Sequence, residues 1–143
     1  MDAHRLHHIG YVVPSIAEGM RRWESAVFAR SVSAMYTDEI QKATVLFLEL
    51  SDGVRLELVE PLTCDSPVNA FLSRGGGLHH LCFEVENLTQ QIQHMRQQHA
   101  VLVRRPQPAV AFGGRRIAWM MTRDGMLIEY LERNAPPTEH IDS

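Results

Sequence analysis

"LHHI" (6–9) and "LHHL" (78–81) open two stretches that lie 72 residues apart in this chain. The same offset holds further along. Sliding the sequence by 72 without gaps sets "LHHIGYVV" (6–13) on "LHHLCFEV" (78–85) and "SIAEGMRRW" (15–23) on "NLTQQIQHM" (87–95). It also sets "DGVRLELVE" (52–60) on "DGMLIEYLE" (124–132). Apolar and polar positions agree even where identities do not. Three matches at one offset, across strand-like and helix-like segments, identify an internal duplication.

Each half follows one plan. A β-branched and aromatic run, "HHIGYVV" in the first half, predicts a strand. A helix follows: Ser15 with Glu18, and Asn87 with Gln90, have the spacing of a helix-capping pair. Ile16, Met20 and Trp23 recur at helical spacing, as do Leu88, Ile92 and Met95, and are expected to pack each helix on a sheet. Strands at 44–50 and 54–60, turned by "SDG", match strands at 116–122 and 126–132, turned by "RDG". With one weak strand near 32–36 and one near 100–104, the unit reads as βαβββ. The expectation is an α+β fold in one domain, 1–143, with repeats at about 6–62 and 78–134. Between them, 65–77 reads as a linker helix with Pro67 in its first turn and a terminal glycine run. The tail from Asn134 is expected to fray.

Composition narrows the function classes. A chain of 143 residues, 45% hydrophobic and 22% charged, can bury a core. A net charge of −3 offers no electrostatic reason to bind nucleic acid or an anionic membrane. No apolar run is long enough to span a bilayer, and the polar start does not read as a secretory signal. Cys64 and Cys82 lie outside any CxxC pattern and read as free thiols, which points to the cytoplasm.

Side chains alternate along a strand. Strict alternation sends His7, Ile9, Tyr11 and Val13 to the helix face, with His79, Leu81, Phe83 and Val85 as their counterparts. Val54, Leu56 and Leu58, and Met126, Ile128 and Tyr130, take the same face. The opposite face then receives His8 and Glu57 from the first half, and His80 and Glu129 from the second. Both pairs are 49 residues apart. A lone strand histidine is usually core or surface, and a lone strand glutamate usually faces water. Here the duplication repeats both at once. A pseudo-twofold axis would bring two imidazoles and two carboxylates together, a mixed set suited to Zn, Ni, Co, Mn or Fe(II). A metal would also explain glutamates set among leucines, which are costly to bury unpaired. His7 and His79 are read as structural, and His4, His94, His99 and His140 as solvated.

Other signals are weaker. No Ser or Cys has a nucleophile-elbow context, and "GGG" (75–77) precedes a strand rather than a helix. "AFGGRR" (111–116) reads equally as a loop bringing Arg115 near a substrate and as a plain hairpin turn. Phe47 and Trp119 are repeat-equivalent and fall on the inner face, as candidate cleft residues.

With "LHHIGYVVPSI", "LELVEPLTCDSPVNAFL", "GGGLHHLCFEV" and "GGRRIAWM" followed by "DGMLIEYLE", the chain resembles the vicinal oxygen chelate superfamily, the glyoxalase fold, over about 6–132. Within it the similarity runs to the methylmalonyl-CoA epimerases. The resemblance implies a half-open barrel around one divalent ion (Co, Ni, Zn, Mn or Mg), held by His8, Glu57, His80 and Glu129. It implies an isomerase that moves a proton next to a carbonyl, with Glu129 as first candidate base and Glu57 as second. The substrate would be a CoA or glutathione thioester or hemithioacetal, and a homodimer is expected. A glyoxalase I-like lyase and a metal-free binding or resistance module of the same fold are the alternatives. A ring-cleaving dioxygenase and a thiol transferase of the fosfomycin-resistance type fit less well. One departure stands out: Val45 occupies the position where bacterial epimerases of this kind commonly carry a further glutamate.

Overall fold

A computed structural model describes residues 4–134. The readings of the tail from 135 onward, and of His140, lie outside the described residues. The first repeat runs β1 (Arg5–Val12), α1 (Ile16–Val27), β2 (Ser31–Val32), β3 (Tyr36–Asp38), β4 (Ala43–Glu49) and β5 (Arg55–Pro61). The linker contributes α2 (Val68–Ser73), shorter than the 65–77 expected. The second repeat runs β6 (Gly77–Val85), α3 (Leu88–Gln97), β7 (Val101–Pro108), a 3₁₀ turn (Val110–Phe112), β8 (Arg116–Met121) and β9 (Leu127–Glu132). The weak strand of the first repeat is split into β2 and β3, both paired with β4.

Local chemistry explains these elements. The Ser15 hydroxyl accepts from the Glu18 N–H at 3.4 Å, and the Asn87 carboxamide from the Gln90 N–H at 3.0 Å, so both helices begin where their caps satisfy an orphan donor. Gly53 and Gly125 take φ of 75° and 89° at the ends of the "SDG" and "RDG" turns, a region open to glycine without strain. Ile16, with Met20 and Trp23 beside it, packs α1 on Leu46, Leu48, Leu56 and Leu58. Leu88 and Ile92, with Met95, pack α3 on Val85, Ala118, Met120, Ile128 and Tyr130. Fully burying a side chain such as Leu48 or Leu58 contributes about 1.5–3 kcal/mol. Met126 does not join this layer. It lies just before β9 and is 45% exposed.

The two repeats join within one chain. The sheet order is β2-β4-β5-β1-β6-β9-β8-β7, and the antiparallel β1–β6 pair fuses the halves into one sheet. Its register is symmetric: Ile9 pairs with its own equivalent Leu81, flanked by His8 with Cys82 and Gly10 with His80. The pseudo-twofold axis therefore passes between Ile9 and Leu81. Val45 and Phe47 of β4 share a core cluster with Ile117 of β8, though four strands lie between them in the sheet. Only a sheet that curls can make that contact, so the ends face one another across a half-open hollow.

The pairing of β1 with β6 also shows where strict alternation fails. The register skips His7 between Leu6 and His8, and skips His79 between Leu78 and His80. Each is the extra residue of a β-bulge, and a bulge turns successive side chains toward one side. His7 and His79, expected on the helix face, accordingly sit beside His8 and His80.

Candidate metal centre

β1, β5, β6 and β9 are neighbours at the centre of the sheet, and each delivers one side chain to a common point. His8 comes from β1, Glu57 from β5, His80 from β6 and Glu129 from β9. The parallel registers explain the convergence: Gly10 faces Glu57 and its equivalent Cys82 faces Glu129. All four residues are buried, and their ligand-type atoms lie within 4.8 Å of one another. His8 Nε2 lies 3.2 Å from His80 Nε2, 2.9 Å from Glu129 Oε1 and 3.5 Å from Glu57 Oε1. His80 Nε2 is 3.3 Å from each of those two oxygens.

These distances fit a shared cation. Ligand atoms about 2.0–2.2 Å from one ion sit roughly 3–3.5 Å apart. Glu129 Oε1 is buried between both imidazoles, and the two rings are its only polar neighbours among the described contacts. Two imidazole nitrogens and two carboxylates that converge at these separations make a mixed N/O donor set that could hold a divalent ion.

Space at this point is made by a missing side chain. A Cβ on Gly10 would lie 2.0 Å from the His80 ring, so only glycine lets that imidazole reach the centre. The equivalent position in the second repeat is Cys82, a free buried thiol whose pKa burial pushes up.

Electrostatics bind the four groups into one unit. Burial works against the charged form of every one. For His8 this is outweighed by the Glu57 charge first, then by the adjoining Cys82 and the Glu129 contact, which raise its pKa well above the ordinary value. His80 is raised against burial by its contacts with Glu129 and Glu57. Burial is likewise overridden for the two carboxylates. The His8 charge first, then contacts to both imidazoles, hold Glu57 well below the usual carboxylate range, and Glu129 is held down by contacts to both rings. His7 and His79 behave oppositely. Burial first, then the neighbouring His8 or His80, lowers each to about 4, so both are neutral imidazoles at physiological pH.

Around the centre runs an aromatic wall. Phe112 stacks on His8 with centroids 5.7 Å apart and planes at 19°, Phe47 meets His8 edge-on at 5.4 Å, and Trp119 meets His80 edge-on at 4.6 Å. Phe47 and Trp119 thus flank equivalent histidines. A cavity of about 230 Å³ opens from Glu57, His80 and Glu129, with Val45, Val59 and Trp119 among its mostly apolar lining. Phe47 and Arg115 line instead a separate cleft on the His7 side. Arg115 donates to the carbonyls of Phe112 and Arg133, and Arg116 pairs with Glu132, so both guanidinium groups are engaged by the turn's own surroundings. The turn instead delivers Phe112, which alternation along strands could not reveal because it lies in the 3₁₀ segment.

A family model of the glyoxalase/bleomycin resistance protein/dioxygenase superfamily matches residues 7–119. The chain belongs to this superfamily. Its relatives include an uncharacterized protein, YqjC, of Bacillus subtilis (strain 168), 40% identical over 90% of this chain and 91% of that protein. An ethylmalonyl-CoA/methylmalonyl-CoA epimerase of Cereibacter sphaeroides is 27% identical over 87% of this chain and 95% of its own length. The crystal structure of methylmalonyl-CoA epimerase from Mycobacterium tuberculosis superposes with a TM-score of 0.80 over 95% of this chain and 94% of that one, at 24% identity. That likeness establishes the glyoxalase fold for this chain, with its half-open sheet.

His4, His94 and His99 are exposed. No helix among the described residues is long and apolar enough to cross a membrane.

Proposed function

We propose that this glyoxalase-fold protein is a divalent-metal-dependent isomerase that moves a proton next to a carbonyl, in the manner of an epimerase acting on an acyl thioester. The observation that carries the reading is one constellation: four buried residues with converging ligand atoms, two of them carboxylates, of which Glu57, His80 and Glu129 line a mostly apolar cavity. The cavity is smaller than the 300–1,000 Å³ typical of sites that enclose a drug-sized ligand. It suits an acyl head, with the rest of a CoA or glutathione ester passing out through the mouth.

His8 and His80 would present Nε2, and Glu57 and Glu129 a carboxylate oxygen, to the ion. When bound, a divalent ion supplies Lewis-acid stabilisation of a carbonyl oxygen that gains negative charge. The protein's own chemistry is the proton transfer. Glu129 is held ionised by its contacts to His8 and His80, so it is a carboxylate able to accept a proton. It takes the proton from the carbon next to the carbonyl, and the C–H electron pair moves into the carbonyl as an enolate. Glu57, also held ionised, approaches from the other repeat; it would pass to the opposite face a proton that it first takes from solvent, while Glu129 releases the abstracted proton to solvent. Val45 places hydrocarbon on the cavity wall where the resemblance expects a further glutamate, so we assign the base to the carboxylates of the donor set itself, Glu129 and Glu57.

The symmetry of Glu57 and Glu129 also supports a second reading, a glyoxalase I-like lyase that shuttles a proton between adjacent carbons. One experiment separates them. Metal-loaded protein should exchange solvent deuterium into the carbon between the carbonyls of methylmalonyl-CoA. Turnover of the methylglyoxal–glutathione hemithioacetal without that exchange selects the lyase. Silence in both assays selects a binding module.

We also propose a homodimer in the cytoplasm. The edge strand β7 carries Val101 and Val103, 64% and 50% exposed, which is the kind of edge a partner covers. Both cysteines are free thiols, as a reducing compartment would keep them.

A further inference from the structure

We propose that His7 and His79 are positioning residues. Through paired Nδ1–Nδ1 hydrogen bonds they hold His8 and His80 in the tautomer that leaves Nε2 free for the ion. The inference rests on the metal reading above and adds two residues to it.

The geometry is repeated in both halves. His7 Nδ1 lies 2.8 Å from His8 Nδ1, and His79 Nδ1 lies 2.8 Å from His80 Nδ1. The ring centroids are 5.0 and 5.1 Å apart, and the planes meet at 83° and 86°. Adjacent residues in a regular strand point to opposite faces and cannot do this. The bulges at His7 and His79 make it possible, and both repeats keep one at the same position. Packing fixes the outer rings as well: Phe112 meets His7 edge-on at 5.1 Å, and Phe71 meets His79 at 4.8 Å.

The chemistry gives the contacts a direction. A neutral imidazole has one N–H and one lone pair. When Nε2 of His8 binds an ion, its proton must sit on Nδ1, and it needs an acceptor there. His7 Nδ1, 2.8 Å away, is placed to accept it, with the Cys82 thiol as the other polar group near this ring. His7 then carries its own proton on Nε2. The same holds for His79 and His80. Metal-bound histidines are more often oriented by a carboxylate or a carbonyl. Here the ion would already face two carboxylates, which together balance its double charge. Neutral imidazoles orient the ligands without adding negative charge, so the ion keeps its power to polarise a carbonyl.

The test uses ¹⁵N-histidine NMR on the full chain, metal-free and Zn(II)-loaded, beside Co(II) titration. In the Zn(II)-loaded protein, His8 and His80 should be Nδ1–H tautomers and His7 and His79 Nε2–H tautomers. Each pair should show a through-hydrogen-bond ¹⁵N–¹⁵N coupling, which a role in packing alone would not produce. His7→Leu or His79→Leu should lower Co(II) affinity 10- to 100-fold, the usual effect of removing an outer-shell partner. His7→Asn, whose side-chain oxygen can replace Nδ1 as acceptor, should recover most of that loss. If a leucine variant does not fold, the NMR of the parent decides. A parent that binds Zn(II) but shows no coupling overturns this inference alone, as does a folded His7→Leu protein that binds Co(II) like the parent. A parent that takes up neither ion overturns the metal reading and this inference with it.

Discussion

Glu57 and Glu129 are repeat-equivalent, yet nothing requires them to share the work equally. Glu129 Oε1 lies 2.9 Å from His8 Nε2, whereas Glu57 Oε1 is 3.5 Å from it. Glu129→Gln keeps an oxygen donor and removes the basic carboxylate. Metal affinity should fall modestly, while proton exchange on the active substrate falls roughly a hundredfold or more. Glu57→Gln should cost less if Glu57 is mainly a ligand. Full turnover in both variants would remove both from the role of base. Gly10 offers a test of the site that touches no ligand. An added methyl group would collide with the His80 ring, and the strand on either side cannot retreat without breaking its pairing. Gly10→Ala should therefore weaken Co(II) binding by at least the roughly 10- to 100-fold typical of disturbing what orients a ligand, with the far-ultraviolet spectrum unchanged. Affinity equal to the parent's would mean that His80 does not bind from where it lies.

At the scale of elements, the two helices are capped alike but not equally. Asn87 accepts at 3.0 Å and Ser15 at 3.4 Å. Asn87→Ala should cost about 1 kcal/mol in urea unfolding and Ser15→Ala somewhat less; a larger loss for Ser15 would contradict the distances. Both caps were legible in the sequence because a capping pair is a local signal. The strand order was not legible in this way, but the 72-residue repeat supplied what periodicity lacks, a reason for remote strands to converge. His8, Glu57, His80 and Glu129 could be singled out for that reason. Alternation misplaces His7 and His79, because it assumes a regular strand and a bulge is a property of two strands paired. The doubled histidine was the available signal, for a bulge is what lets both members of such a pair face one centre. Phe112 and Gly10 escape the pattern for a different reason: one sits in a 3₁₀ turn and the other contributes only the absence of a side chain.

For the whole molecule, the pairing of β1 with β6 means that one chain supplies all four ligand-type residues. A homodimer, if formed through the β7 edge, would cover apolar surface without completing the site. Light scattering at tens of micromolar should report twice the chain mass of 16.3 kDa, and a monomer there removes the claim. Dilution to the monomer should leave metal affinity intact.

The charge pattern of the centre sets how stability depends on pH, with opposite signs for the metal-free and loaded protein. In the metal-free fold, Glu57 and Glu129 have lowered pKa values. Their contribution is present above the ordinary carboxylate value of about 4.5 and lost as pH falls through the lowered ones. His8 and His80 have raised pKa values, so theirs is complete below the ordinary imidazole value of about 6.5 and lost as pH rises through the raised ones. His7 and His79, lowered to about 4, oppose this only below about 6.5, where unfolding gains their protons. Above pH 6.5, then, the metal-free centre can only lose stability as protons leave His8 and His80. Metal binding demands those same deprotonations, so the loaded protein gains over that range. A tenfold difference in proton affinity between the folded and unfolded chain corresponds to about 1.4 kcal/mol, which moves the melting temperature of a domain this size by roughly 4–6 °C. Between pH 6.5 and 9, melting in a chelator should fall by several degrees, while the added stabilisation from saturating Zn(II) should grow. Parallel curves with and without the ion would show that the imidazoles do not exchange their protons for a metal, and the centre would then be a structural ion-pair cluster.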